Sequence, residues 1–298
     1  MEKALLETDI KEYPLFSRGK VRDVYDLGDK LLIVATDRVS AFDCVLPNGI
    51  PGKGRILTAM SLFWFDHIKS IILSHLIAAD VSQFPANLHK YREILDGRAM
   101  LVVKAERIDI ECVVRGYISG SLWKELTAAR KNGSNEALGF KFPPNLRESD
   151  KLPEPVFTPA IKSDDGHDEN ISFEQMAKIV GAETAAMCRS KSIDIYKKTS
   201  EYARGRGIII ADTKFEFGFH NGRLIIIDEI LSPDSSRFWP LEQYVPGKGQ
   251  PSFDKQFIRD YLAGLDWDKN PPAPSLPEEI LLKSAAKYKE AEKLLTGK

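Results

Sequence analysis

The chain has 298 residues, 43% of them hydrophobic and 9% aromatic, with 42 basic and 43 acidic side chains and a formal net charge of -1. This is enough to bury a large core and to divide into two or three domains, and the balanced charge leaves no basic footprint for nucleic acid. No apolar run reaches the length of a membrane span, the charged Met1 to Asp9 start carries no secretory signal, and the three cysteines, Cys44, Cys112 and Cys188, lack CxxC spacing, so neither a disulfide framework nor a zinc site is expected and a cytoplasmic protein is.

Lys20 to Val45 alternates apolar and polar residues around Leu27-Gly28-Asp29-Lys30, which predicts a hairpin and a further strand or loop. Its mouth, Ser17-Arg18-Gly19-Lys20-Val21-Arg22, sets a glycine among basic side chains. Glycine lets backbone amides approach phosphate oxygens, and Lys20 and Arg22, read as sharing one strand face, would offset the phosphate charge. Gly19, Lys20 and Arg22 are therefore candidate nucleotide contacts, although a plain hairpin entry fits as well and no GxxxxGK[ST] loop exists in the chain. Pro47 to Arg55 is rich in glycine and proline and predicts a loop. Thr58 to Leu73 predicts a helix with Trp64 and Phe65 on its buried side. Met100 to Lys104 and Glu111 to Arg115 predict strands, with Lys104 at a strand end, either meeting phosphate or simply exposed.

Val114-Arg115-Gly116-Tyr117-Ile118-Ser119-Gly120-Ser121 leads into a helix predicted over Ser121 to Arg130. A strand-end arginine beside the unpaired N–H groups of a helix start makes an anion site, so Arg115 and Ser121 are candidate phosphate ligands; simple N-capping is the plain alternative for Ser119 or Ser121. Lys131 to Pro155, dense in Asn, Gly, Pro and charge, predicts a surface excursion. The polar loop from Pro159 to Asn170 is either solvated surface or a place where Lys162 meets a carboxylate and Asp168 orients or deprotonates an amine. Ser172 to Arg204 predicts two helical segments, with Phe173, Met176, Ile179 and Val180 forming a core stripe.

The densest charge in otherwise buried sequence is Ala211-Asp212-Thr213-Lys214-Phe215-Glu216-Phe217-Gly218, with Ile226-Ile227-Asp228-Glu229 and Ser235-Ser236-Arg237 following. Charges so placed need partners, a metal or a charged ligand. His220-Asn221-Gly222 predicts a hairpin. A three-residue turn would pair Phe219 with Arg223 and Lys214 with Asp228, setting Lys214, Glu216 and Asp228 on one face, whereas a two-residue turn would put Glu216 and Asp228 on opposite faces. Two converging carboxylates suit magnesium when phosphate oxygens complete its shell. Asp212 reads equally well as a structural residue bonding the hairpin backbone. A short helix over Asp254 to Leu262 and a charged terminal helix over Pro277 to Leu295 complete the chain. Together the elements predict an α+β protein: a sheet-rich lid domain over residues 1–110, a larger α/β domain over 111–298, and a nucleotide cleft between them, as in kinase-like and ATP-grasp-like arrangements.

GKVRDVY, ECVVRGYISGSLWKE, KSDDGHDEN, ADTKFEFG and DEILSPDSSRFWP occur in that order. Together they resemble the SAICAR synthetase family of purine biosynthesis, over nearly the whole chain. The resemblance implies a ligase that uses ATP and magnesium to join L-aspartate to the carboxylate of the carboxylated aminoimidazole ribonucleotide CAIR through an acyl phosphate, giving SAICAR. It also implies roles: Gly19, Lys20, Arg22 and Lys104 toward the nucleotide; Glu216 and Asp228 toward magnesium; Lys214 as the active-site lysine; Arg115, Ser121 and Arg237 toward the ribonucleotide; Lys162 and Asp168 toward aspartate. It leaves monomer and homo-oligomer open. A kinase acting on a small metabolite would use the same lid, lysine and acids, with less need for a second anion pocket. A regulatory nucleotide-binding protein is the non-enzymatic alternative.

Overall fold

The computed structural model describes residues 3–162, 169–253 and 255–297. Strands β1 (Leu15–Arg18), β2 (Arg22–Asp26) and β3 (Lys30–Ala35) are followed by a small ribbon, β4 (Ser40–Ala41) with β5 (Cys44–Val45), and by helix α1 (Lys53–Ile68). After β6 (Leu76–Ala78), the short α2 (Arg92–Leu95) and β7 (Ala99–Val103), the first sheet is complete in the order β1-β2-β3-β7-β6. The predicted hairpin is present, with Asp26 opposite Leu31 across its turn.

Strand β8 (Glu106–Arg107) already belongs to the second sheet. It is followed by β9 (Ile110–Tyr117), α3 (Gly120–Lys131), the ribbon β10 (Glu136–Ala137) with β11 (Phe140–Lys141), then β12 (Lys151–Ile161) and β13 (Glu169–Asn170). Helices α4 (Phe173–Val180) and α5 (Ala182–Gly205) lead to β14 (Ile208–His220), β15 (Arg223–Ile227) and β16 (Ser236–Pro240), and the chain closes with α6 (Gln256–Ala263) and α7 (Glu278–Thr296). The long β14 is central. One edge pairs with β9 and then β8, the other with β16 and then β15, while β12 and β13 extend the sheet beyond β9.

Phe215 and Phe217 point from β14 into the main apolar core, which also holds Trp64 of α1 and Tyr288 of α7. Each such ring contributes about 2 kcal/mol by leaving water. That core spans both sheets, because α7 returns to pack on α1.

Several sequence expectations change. Helix α1 begins at Lys53, inside the expected loop. Gly54 serves close packing there, since a Cβ would stand 2.1 Å from the Ala35 carbonyl oxygen. The expected surface excursion over 131–155 is structured: its ribbon and the start of β12 bring Ala137, Phe142 and Leu152 onto Leu122 and Leu126 of α3. Of the expected stripe on α4, Met176 is buried but Ile179 is exposed.

The turn after β14 has two residues, not three. Asn221 (φ 51°) and Gly222 (φ 71°) are both left-handed, the conformation of a tight hairpin turn, and they pair His220 with Arg223 and Glu216 with Ile227. Strict alternation would then turn Asp228 away from Glu216. Instead β15 ends at Ile227, and Asp228 adopts φ 65°, which breaks the alternation and aims its carboxylate at Arg22.

Candidate active site

Asp212, Lys214 and Glu216 alternate along β14 and so share the face opposite Phe215 and Phe217. Asp212 stands opposite Arg115 of β9 on one edge and Arg237 of β16 on the other. Register alone therefore lines up an arginine, an aspartate and an arginine. The side chains close the row: Asp212 Oδ2 is 2.5 Å from Arg237 Nη1, 3.5 Å from Arg115 Nη1, and accepts from Ser119 Oγ at 2.9 Å. Arg115 also donates from Nε to Thr158 Oγ1 at 2.9 Å and from Nη2 to Ser121 Oγ at 3.0 Å. Gly120, at φ 56°, lies beneath Arg237, where a Cβ would meet the guanidinium at 2.4 Å. Burial pushes the Asp212 carboxyl up, but Arg237 and Arg115 outweigh it and hold the pKa below the usual range. A cavity of about 300 Å³ opens in front of this row, lined by Arg115, Ser121, Asp212, Lys214, Ser236 and Arg237 among others. Two guanidiniums around one carboxylate leave a positive surplus suited to an anion.

Further along the same face the composition changes. Lys214 pairs with Glu111 of β9, and Glu216 accepts from Lys162 Nζ at 2.8 Å. Arg22 reaches over from the first sheet and donates from Nη2 to Asp228 Oδ2 at 2.8 Å. Burial opposes the charge on both cations, but Glu111 for Lys214 and Asp228 for Arg22, each with Glu216 behind, outweigh it and hold both pKa values above their ordinary ranges. Behind this pair His75 is 3% exposed and edge-on to Phe65; burial and Arg22 push its imidazole down to about 3, so it is neutral. Asp234 is buried with Lys53 Nζ at 2.6 Å, Lys255 Nζ at 3.1 Å and the Tyr288 hydroxyl at 2.8 Å, which ties the loop between β15 and β16 to α1 and α7.

The family model for SAICAR synthetase matches residues 15–274. The chain belongs to the SAICAR synthetase family. A phosphoribosylaminoimidazole-succinocarboxamide synthase of Thermodesulfovibrio yellowstonii is 57% identical over 297 residues, covering 100% of both chains. A solved SAICAR synthase from Saccharomyces cerevisiae, complexed with SAICAR, superposes with a TM-score of 0.89 at 42% identity over 99% of this chain and 98% of that one. A SAICAR synthetase in complex with ADP superposes with a TM-score of 0.69 at 25% identity, over 95% of this chain and 97% of that one. Like its relatives, this SAICAR synthetase family member is a ligase of purine biosynthesis. No helix among its described residues is long and apolar enough to cross a membrane.

Against this family frame, the expected site residues fall into groups. Arg115, Ser121 and Arg237 come together at the cationic end of the face; Lys214, Glu216, Asp228, Lys162 and Arg22 come together at the other. Lys162 engages Glu216 rather than standing apart for a substrate carboxylate. Lys20 does not share a strand face with Arg22, because it lies in the turn between β1 and β2 and pairs with Asp43. Lys104 bonds Asp26 at 2.7 Å, at the far end of β2 from Arg22 and about 13 Å along the strand. Asp168 lies outside the described residues. Asp212 does not bond the hairpin backbone; it joins the two arginines. Glu111, Thr158 and Asp234 were not singled out from sequence. Glu111 carried a usable signal, since it stands four residues before Arg115 on one strand and so on the same face.

Proposed function

We propose that this ligase joins L-aspartate to the carboxylate of CAIR at the expense of ATP, giving SAICAR, ADP and phosphate through an acyl phosphate. One observation carries the reading: a single sheet face runs from a cationic cavity, past a charged lysine, to two carboxylates faced by a cation from the other sheet. The ribonucleotide phosphate suits Arg115, Ser121 and Arg237, which directs the base and its carboxylate toward Lys214. Gly19, Lys20 and Arg22 serve the ATP phosphates, while Lys104, a strand's length away, suits the nucleoside end. A CAIR carboxylate oxygen attacks the γ-phosphorus and ADP leaves. The aspartate amine then attacks the acyl carbon, Asp168 takes its proton, and phosphate departs. Lys214 and Lys162 offset the negative charge that develops. That relatives were solved with SAICAR and with ADP supports the choice of product and nucleotide.

Glu216 and Asp228 fit magnesium, because both are hard oxygen donors brought to the same end of the charged face, each beside a cation rather than buried alone. Magnesium usually takes one or two carboxylates and completes its shell with substrate phosphates and water, and there it neutralises phosphate charge.

The test is ADP release by purified protein with magnesium and ATP, with CAIR and L-aspartate added separately and together. ADP and SAICAR in equal amounts, only with both present, are expected. ADP formed with CAIR alone, indifferent to aspartate, would replace the ligase step with simple phosphoryl transfer.

A further inference from the structure

In the turn between β1 and β2, Gly19 and Lys20 are exposed and Val21 is buried, and the backbone is tied down from one side. Arg38, 7% exposed, donates from Nη2 to the Gly19 carbonyl at 2.9 Å and from Nε to the Lys20 carbonyl at 3.3 Å. Thr36 holds the next carbonyl, Val21, through its N–H at 3.0 Å and its hydroxyl at 2.8 Å. The guanidinium is itself fixed. It donates to Asp23 Oδ1 at 2.8 Å and to the Leu6 carbonyl, and the fully buried Asp23 also accepts from the Thr8 N–H and hydroxyl, each at 2.8 Å.

The Gly19–Lys20 and Lys20–Val21 peptides are trans. In a trans peptide the C=O and N–H point in opposite directions. With the Gly19 and Lys20 carbonyls held against Arg38, the N–H groups of Lys20 and Val21 must point away from it, on the outer side of the turn. Successive N–H groups presented this way make an anion-binding concavity.

We infer that Arg38 is a positioning residue for the nucleotide: it presets the turn so that the Lys20 and Val21 amides meet ATP phosphate oxygens, without itself touching the ligand. This rests on the assignment of the turn to ATP phosphates. A guanidinium is suited to the task because its planar fork holds three carbonyls and a carboxylate at once, which a lysine ammonium cannot reproduce.

The experiment compares dissociation constants for magnesium–ATP and for adenosine in the wild type, Arg38→Lys and Lys20→Met, each below its own unfolding temperature. Arg38→Lys should weaken ATP about tenfold and leave adenosine within about twofold, since only the phosphates meet the turn. Equal weakening of both ligands would reduce Arg38 to a stabilising residue and overturn the inference. Normal ATP binding in Arg38→Lys beside weakened binding in Lys20→Met would overturn it alone. Normal ATP binding in both would remove the turn from the nucleotide site and take the underlying assignment with it. Should Arg38→Lys fail to fold, amide exchange in the wild type decides: ATP, but not adenosine, should slow exchange at Lys20 and Val21, and unchanged exchange would overturn the proposal.

Discussion

The two ends of the charged face on β14 are built by different means. At the arginine end, Arg115, Asp212 and Arg237 lie opposite one another on three neighbouring strands, so pairing within one sheet suffices to assemble them. At the acid end, Glu216 comes from β14, Asp228 from beyond the end of β15, Lys162 from beyond β12 and Arg22 from the first sheet. One end is set by ladder register, the other by how the two sheets meet. On the proposed reading, the second is the end whose groups would exchange protein contacts for a metal and phosphates.

The largest effect is expected at the acid end. Glu216→Gln or Asp228→Asn should lower turnover about a thousandfold with an unchanged circular dichroism spectrum, because a charge acting on the reacting groups is lost; near-normal rates in both would erase the functional contrast between the ends. The arginine end should answer first in stability. Asp212→Asn leaves Arg115 and Arg237 without their shared carboxylate, and urea unfolding should show a loss of about 3 kcal/mol. A loss within error would mean that the row is not prebuilt. Arg237→Ala should raise KM for CAIR about thirtyfold and move KM for ATP by less than about twofold; an equal rise in both would merge the two ends into one site.

The smallest effect concerns His75, behind the acid end. Its ordinary pKa of 6.5 falls to about 3 in the fold, so between those values the unfolded chain binds a proton that the native state refuses. Stability from this residue is therefore complete above pH 6.5 and declines as pH falls, by up to about 1.4 kcal/mol per pH unit. His75→Gln should flatten unfolding stability between pH 6 and 5 relative to the wild type. Parallel curves would show that the imidazole gains its proton without cost.

The charged face and its cationic end were legible in the chain. Strand alternation is a local property with a period of two, so Lys214 and Glu216 on one face with Phe215 and Phe217 behind them follow from the order of residues alone. The same rule places Glu111 with Arg115, and the serine and glycine entry to α3 reads as a candidate anion site without reference to anything distant. Turn chemistry at Asn221-Gly222 was equally local, and its two-residue form was open to reading as a two-residue hairpin.

What only the tertiary structure decided is which distant charges meet. Arg22 and Asp228 lie 206 positions apart, and their pairing depends on the docking of one sheet on the other. The left-handed Asp228 that returns its carboxylate to the site, the Glu111 partner of Lys214 and the Asp234 link from the loop between β15 and β16 to α1 and α7 likewise have no local period to announce them. Periodicity fixes the direction of a side chain relative to its own strand. Its partners are fixed by the path of the whole chain.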